Sequence, residues 1–133
     1  MYSHEVLEHF LHPRHVGTIE DPSGFGQAGG GERCPDDLAY IWIRVADGRI
    51  VEIRHKTLGC PVAIAASSVT CEMALGKTLA EALAITPEAV IAALGGVPER
   101  KANSTVAPKA LRAAIMQALD RNGQAEQQDA STD

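Results

Sequence analysis

The sequence predicts an α+β domain, a small antiparallel β-sheet with helices packed on one face, and three observations carry that expectation. Residues 38–45 and 50–56 alternate between apolar and polar side chains, as half-buried strands do. Asp47-Gly48 lies between them, a pair suited to a two-residue hairpin turn. After Cys60 the chain changes to helical spacing with helix caps and stops. Strands followed by helices, without alternation, segregate the helices to one side of the sheet.

The elements follow in order. Residues 3–12 read as a helix with Ser3 as N-cap, Glu5 in the first turn and Val6, Leu7, Phe10 and Leu11 in one stripe. Pro13 restricts His12 and ends it. Asp21-Pro22 marks a turn. Gly24, Gly26, Gly29, Gly30 and Gly31 then form a flexible approach to Cys34 that leaves room for a short edge strand. In the first clear strand Ala39, Ile41, Ile43 and Val45 share a face opposite Tyr40, Trp42 and Arg44. In the second, Val51, Ile53 and His55 oppose Glu52, Arg54 and Lys56.

Pro61 suits the first position of a helix over 61–75, with Gly76 as its cap. Thr78-Leu79-Ala80-Glu81 is a capping box opening a short helix. Thr86-Pro87-Glu88 opens another, which Gly95-Gly96 ends. A last helix covers 105–121, tolerates Pro108 in its first turn and stops at Asn122-Gly123.

The 133 residues fit one domain, taken as 1–123, and residues 124–133 are polar, aperiodic and expected to be disordered. Hydrophobic residues make up 45% of the chain but aromatics only 4%, so the core must be aliphatic and alanine-rich. A net charge of −5 without a basic run argues against nucleic acid as the main partner. No long apolar span or signal peptide is visible, so no membrane attachment is expected. Three cysteines in that setting read as reduced thiols of a cytoplasmic protein.

The chemistry is expected where Cys34-Pro35-Asp36 precedes one strand and Gly59-Cys60-Pro61 joins another strand to a helix. Cys60 falls at the helix N-terminus, where free N–H groups and the helix dipole favour thiolate. Cys34 and Asp36 are two apart and point the same way on an extended chain. Two thiolates select zinc, copper(I) or iron–sulfur chemistry, and a carboxylate is a harder, less well matched partner. Three ligands do not close a tetrahedral site. The bland alternatives are a buried structural Cys60 and a simple turn at Pro35-Asp36-Asp37.

Cys71 lies eleven residues beyond Cys60, roughly 16 Å along a helix at 1.5 Å per residue, and reads as a core thiol near Val69, Met73 and Ala74. His55 reads as a packed histidine. His4, His9, His12 and His15 read as a solvated face. No nucleophile–base pair, phosphate loop or catalytic carboxylate pair is visible, so the chain is not expected to be an enzyme.

From Tyr2 to about Asp120 the chain resembles the IscU/NifU-type iron–sulfur cluster scaffold proteins. Tyr2-Ser3, Val6, His9-Phe10, Pro13-Arg14 and Val16-Gly17 look like that family's opening. Cys34-Pro35-Asp36 stands where it has Cys-Gly-Asp. Lys56-Thr57-Leu58-Gly59-Cys60 with Ala63-Ile64-Ala65-Ala66-Ser67-Ser68 resembles the second ligand motif. Gly76-Lys77-Thr78-Leu79 and Ala93-Leu94-Gly95-Gly96-Val97-Pro98 continue the match.

The resemblance implies a SufE/NifU-like fold and assembly of a [2Fe–2S] cluster, or binding of iron, through Cys34, Asp36 and Cys60. It implies a cysteine desulfurase as sulfur donor and acceptor apo-proteins as recipients. The departure lies at Lys101-Ala102-Asn103-Ser104-Thr105, where the family's histidine falls on Asn103 and its third, sulfur-receiving cysteine on Ser104. Neither is a good ligand for iron or zinc. The chaperone-recognition stretch is also altered, to Val97-Pro98-Glu99-Arg100-Lys101. The resemblance also implies sulfur transfer to that position and hand-off by a heat-shock-type chaperone, and the two departures weigh against both. A fourth ligand is left to a partner, a second copy of the chain in a homodimer, a small thiol or water. The alternatives are a cluster-free module of the same fold that docks on a desulfurase, and a zinc-binding protein.

Overall fold

The computed structural model describes residues 2–32 and 34–131, with side-chain environments through residue 121. The sheet has three antiparallel strands in the order β1 (Gly24–Gly30), β2 (Cys34–Ala46) and β3 (Arg49–Leu58). The hairpin is the expected one. Asp47 and Gly48 have φ of 53° and 74°, the pair of positive values that a turn matching the strand twist requires.

β2 is longer than its alternating core, because it takes in Cys34-Pro35-Asp36-Asp37. The glycine-rich approach is a full edge strand. Gly24 and Gly26 lie under α5 (Ala107–Ser131), and an added Cβ would come within 2.0 Å of the Ala114 carbonyl oxygen and 2.1 Å of the Ala110 carbonyl oxygen, respectively. These glycines permit backbone-to-backbone packing rather than flexibility.

One face of the sheet is covered as expected. α5 lies on β1 and β2, and α2 (Pro61–Ala74) lies on β3. Ala39, Ile41, Ile43, Ile50 and Ile53 form a core with Cys71, Ala74, Ala110, Leu111 and Ile115. The opposite face carries a row of three half-buried rings, with Phe25 and Trp42 centroids 5.1 Å apart and Phe25 and Tyr40 6.1 Å apart.

The core face of β3 differs from the expected alternation in one place. Arg44 pairs with Glu52 but Val45 pairs with Ile50, so Val51 is the extra residue of a β-bulge. Ile50 takes the core position and Val51 is 51% exposed.

α2 is buried almost all round because a second core lies behind it. Val62, Ala65, Ala66 and Val69 pack there with Val6 of α1 (His4–Leu11) and with Val90 and Leu94 at α4 (Pro87–Ala93). Ser3 caps α1 by accepting the Val6 N–H at 3.0 Å, and its hydroxyl donates to the Leu94 carbonyl. The apolar stripe of α1 is narrower than expected, since Leu7 and Leu11 are exposed.

The capping box opens α3 (Leu79–Leu83) with both reciprocal bonds, Glu81 N–H to Thr78 Oγ1 at 3.1 Å and Thr78 N–H to Glu81 Oε1 at 2.9 Å. A short 3-10 helix, Glu99–Ser104, leads into α5 and was not expected from the sequence. α5 also runs past the expected stop at Asn122-Gly123. Gln, Ala and Glu beyond it are good helix formers, and a single glycine costs only about 1 kcal/mol. The expected disorder of 124–133 falls on residues whose side chains lie outside the described ones. No helix among the described residues is long and apolar enough to cross a membrane.

Candidate functional site at the end of the sheet

Two sequence-distant thiols meet where β2 begins and α2 begins. Cys34 pairs with Gly30 across the β1–β2 ladder, while the neighbouring pair is Gly29 with Leu38. Residues 35–37 are therefore extra on β2, a bulge at the start of the strand, and Cys34 and Asp36 line the same cavity. Gly30 is needed for the close approach, since a Cβ there would lie 2.5 Å from Cys34 Cβ.

Cys60 is the N-cap of α2, with φ −75° and ψ 168°, as the Gly-Cys-Pro sequence suggested. Its side chain makes no capping bond to the helix.

The hydroxyl of Ser104 brings the thiols together. Its oxygen lies 3.3 Å from Cys34 Sγ and 3.3 Å from Cys60 Sγ. The two sulfurs are thus no farther apart than twice that length. Ser104 is fully buried at the end of the 3-10 helix, where the Thr105 hydroxyl donates to the Ala102 carbonyl at 2.6 Å and pins the turn. Asn103, its neighbour, is exposed and lines a separate cavity with Gly30 and Lys109.

The carboxylate in contact with Cys60 is Asp37. Buried at the site, it accepts the Cys60 N–H through Oδ1 at 3.1 Å, and its Oδ2 lies 3.9 Å from Cys60 Sγ. Gly59 must be glycine to allow this. Its φ is 138°, and a Cβ would lie 2.2 Å from Asp37 Oδ1. Asp36 is exposed on the rim of a cavity of about 480 Å³ whose walls also include Cys34, Asp37, Cys60 and Lys101. Among the described residues no three Cys, His, Asp or Glu side chains form a metal site by themselves. Sequence reasoning missed Ser104 and Asp37. The signal available for Ser104 was its place at the family's third cysteine, which marked a loss rather than a contact.

The remaining candidates lie elsewhere. Cys71 is in the sheet-side core, where burial pushes its thiol far above the ordinary range. It packs with Ala74, as expected, whereas Val69 and Met73 belong to the second core. His9 is not part of a solvated face, because its Nδ1 is 2.8 Å from Ser68 Oγ.

His55 is a packed histidine. Its Nε2–H donates to the Arg14 carbonyl at 2.9 Å, and its Nδ1 lies 3.2 Å from Thr57 Oγ1. Burial is the main cause that pushes the imidazole down from 6.5 to about 4. Between those values the unfolded chain binds a proton that the folded chain refuses. Stability that His55 leaves intact above pH 6.5 is therefore lost as pH falls toward 4, by roughly 3 kcal/mol at most. Urea unfolding of wild type and His55→Gln across pH 7 to 4 should show a shallower decline in the variant. Equal slopes would contradict the account of His55.

The family model described as the NifU-like N terminal domain matches residues 1–125, and the chain belongs to that family. It is 49% identical over 124 residues to the iron-sulfur cluster assembly scaffold protein IscU 1 of Archaeoglobus fulgidus, covering 92% of this chain and 80% of that one. It is 38% identical over 128 residues to IscU of Aquifex aeolicus, covering 95% and 81%.

Solved structures agree on the fold. A NifU-like protein (N-terminal) from Brucella abortus superposes with a TM-score of 0.71 at 20% identity, covering 88% of this chain and 93% of that one. A putative scaffold protein for the SUF system from Fervidobacterium islandicum AW-1 gives 0.69 at 19%, covering 86% and 96%.

Proposed function

We propose that this protein is an iron–sulfur cluster assembly scaffold that takes iron or a labile [2Fe–2S] unit as cargo on Cys34 and Cys60 and passes it to acceptor apo-proteins. The observation that carries the reading is that both thiols line one open cavity while each lies 3.3 Å from the buried Ser104 hydroxyl behind them. Thiolates supply the soft donors that iron–sulfur units need, and Asp36 on the rim offers a hard oxygen that holds them loosely. Asp37 fixes the Cys60 backbone and so the direction of its thiol.

Lys101 beside the thiolates places a positive charge near a cargo that carries negative charge. The open side of the cavity is where a desulfurase would deliver sulfur and where an acceptor would collect the product. The protein holds and hands over rather than turning over a substrate. Two unoxidised thiols at its surface fit a reducing, cytoplasmic setting.

Transfer tests this directly. Cluster-loaded protein mixed anaerobically with an apo-acceptor of [2Fe–2S] type should generate the acceptor's circular dichroism spectrum faster than free iron and sulfide do. Transfer no faster than that control would refute the scaffold role. Docking on a desulfurase that persists without either thiol, and without transfer, would instead support a cluster-free module.

A further inference from the structure

We infer that the free edge of β1 is a docking site for an extended, acidic segment of a partner protein, which joins the sheet as a further strand. The site goes beyond the scaffold reading and does not depend on cargo. β1 is an outer strand of the sheet. The Phe25 N–H donates to Gln117 Oε1 at 2.8 Å instead of to β2, so by strand alternation the N–H and C=O groups of Gln27 and Gly29 also point away from β2. Both residues are exposed, and no side chain among the described residues bonds these groups. Sheet edges are usually blunted by charge or proline, because unpaired backbone recruits another chain. The β1 sequence Gly-Phe-Gly-Gln-Ala-Gly-Gly has neither. Ala113, the α5 side chain beside Gly26, is small and exposed, which leaves space for a strand next to β1.

Charge selects the occupant. The open edge runs into a cavity of about 340 Å³ lined in part by Gly29, Gly30, Gly31, Asn103 and Lys109. Lys109 is exposed and makes no ion pair among the described residues, and the first turn of α5 holds no acidic residue to offset it. Glu88 stands on the α4 wall of the same cavity without pairing with it. In an added antiparallel strand, the residues opposite Gln27 and Gly29 turn their side chains to the outer face of the sheet, and those between them face α5 and Lys109. Carboxylates at the second set complement Lys109. A second copy of β1 brings no carboxylate and adds another lysine at the contact, so self-pairing is disfavoured. Backbone bonds supply the affinity of such a strand addition, and alternate side chains its specificity.

The probe is an acetylated and amidated peptide of alternating Val and Glu, as long as β1, titrated into cluster-free protein. Amide hydrogen exchange read by NMR is expected to slow at Gln27 and Gly29. Lys109→Glu should weaken binding about fivefold and improve binding of a Val–Lys peptide of the same length. Gln27→Pro removes an edge donor where an edge strand tolerates proline, and should weaken binding at least about tenfold. The Val–Glu peptide methylated on its Val nitrogens, which face β1, tests the pairing without altering the protein and should not bind. Unchanged exchange at Gln27 and Gly29, equal binding of the methylated peptide, or equal binding of the Val–Lys peptide to wild type would each overturn the assignment. Protection that appears without peptide as protein concentration rises would overturn it in favour of self-pairing.

Discussion

Gly26→Val is expected to cost most of the protein's stability. A Cβ at this position would lie 2.1 Å from the Ala110 carbonyl oxygen and 2.5 Å from the Ala114 nitrogen. Overpacking a core ordinarily costs about 1–3 kcal/mol because side chains can turn aside. Here the obstacles are backbone atoms of α5, so the helix itself must lift from β1. A loss of at least about 3 kcal/mol is a large share of the 5–15 kcal/mol typical of a small domain. Urea unfolding provides the measurement, with Gly29→Ala as control. At Gly29 an added Cβ meets nothing nearer than 3.4 Å. A Gly26→Val protein that melts with the control would contradict the close contact between α5 and β1.

The second large effect is on the cargo. Cys34→Ala and Cys60→Ala should each abolish the visible sulfur-to-iron charge-transfer bands of protein reconstituted with iron and sulfide, whereas Cys71→Ala should keep them. The contrast follows from position. Cys34 and Cys60 face an open cavity and share Ser104, and Cys71 lies wholly inside the sheet-side core. Cys71→Ala should instead lower stability, by about 1–2 kcal/mol for a small buried side chain. Bands that survive loss of either outer thiol would remove that residue from the site.

The sequence made the elements legible where local physics decides them. Asp47-Gly48, the Thr78–Glu81 capping box and the Gly-Cys-Pro helix start depend on backbone geometry within a few residues, and each formed as expected. It misled where a distant partner decides. The glycines at 24 and 26 read as flexibility, because the α5 backbone that requires them lies about ninety residues away. Val51 read as core because periodicity cannot show a bulge.

The candidate site divides the same way. Cys34 and Cys60 carry their chemistry in their residue type and were visible. Ser104 and Asp37 act through where folding places them. Asp37 lies in the bulge at residues 35–37 and accepts the Cys60 N–H, a contact between residues 23 apart that strand alternation does not show. Ser104 enters through a 3-10 turn that has no sequence periodicity of its own.

Anaerobic reconstitution of the wild-type protein with Fe(II) and sulfide, followed by desalting, absorption spectroscopy and iron and sulfide analysis, tests the central claim most directly. The account predicts a coloured protein with charge-transfer bands and equal amounts of iron and acid-labile sulfide. A colourless protein free of iron after desalting, at every protein concentration tried, would contradict it.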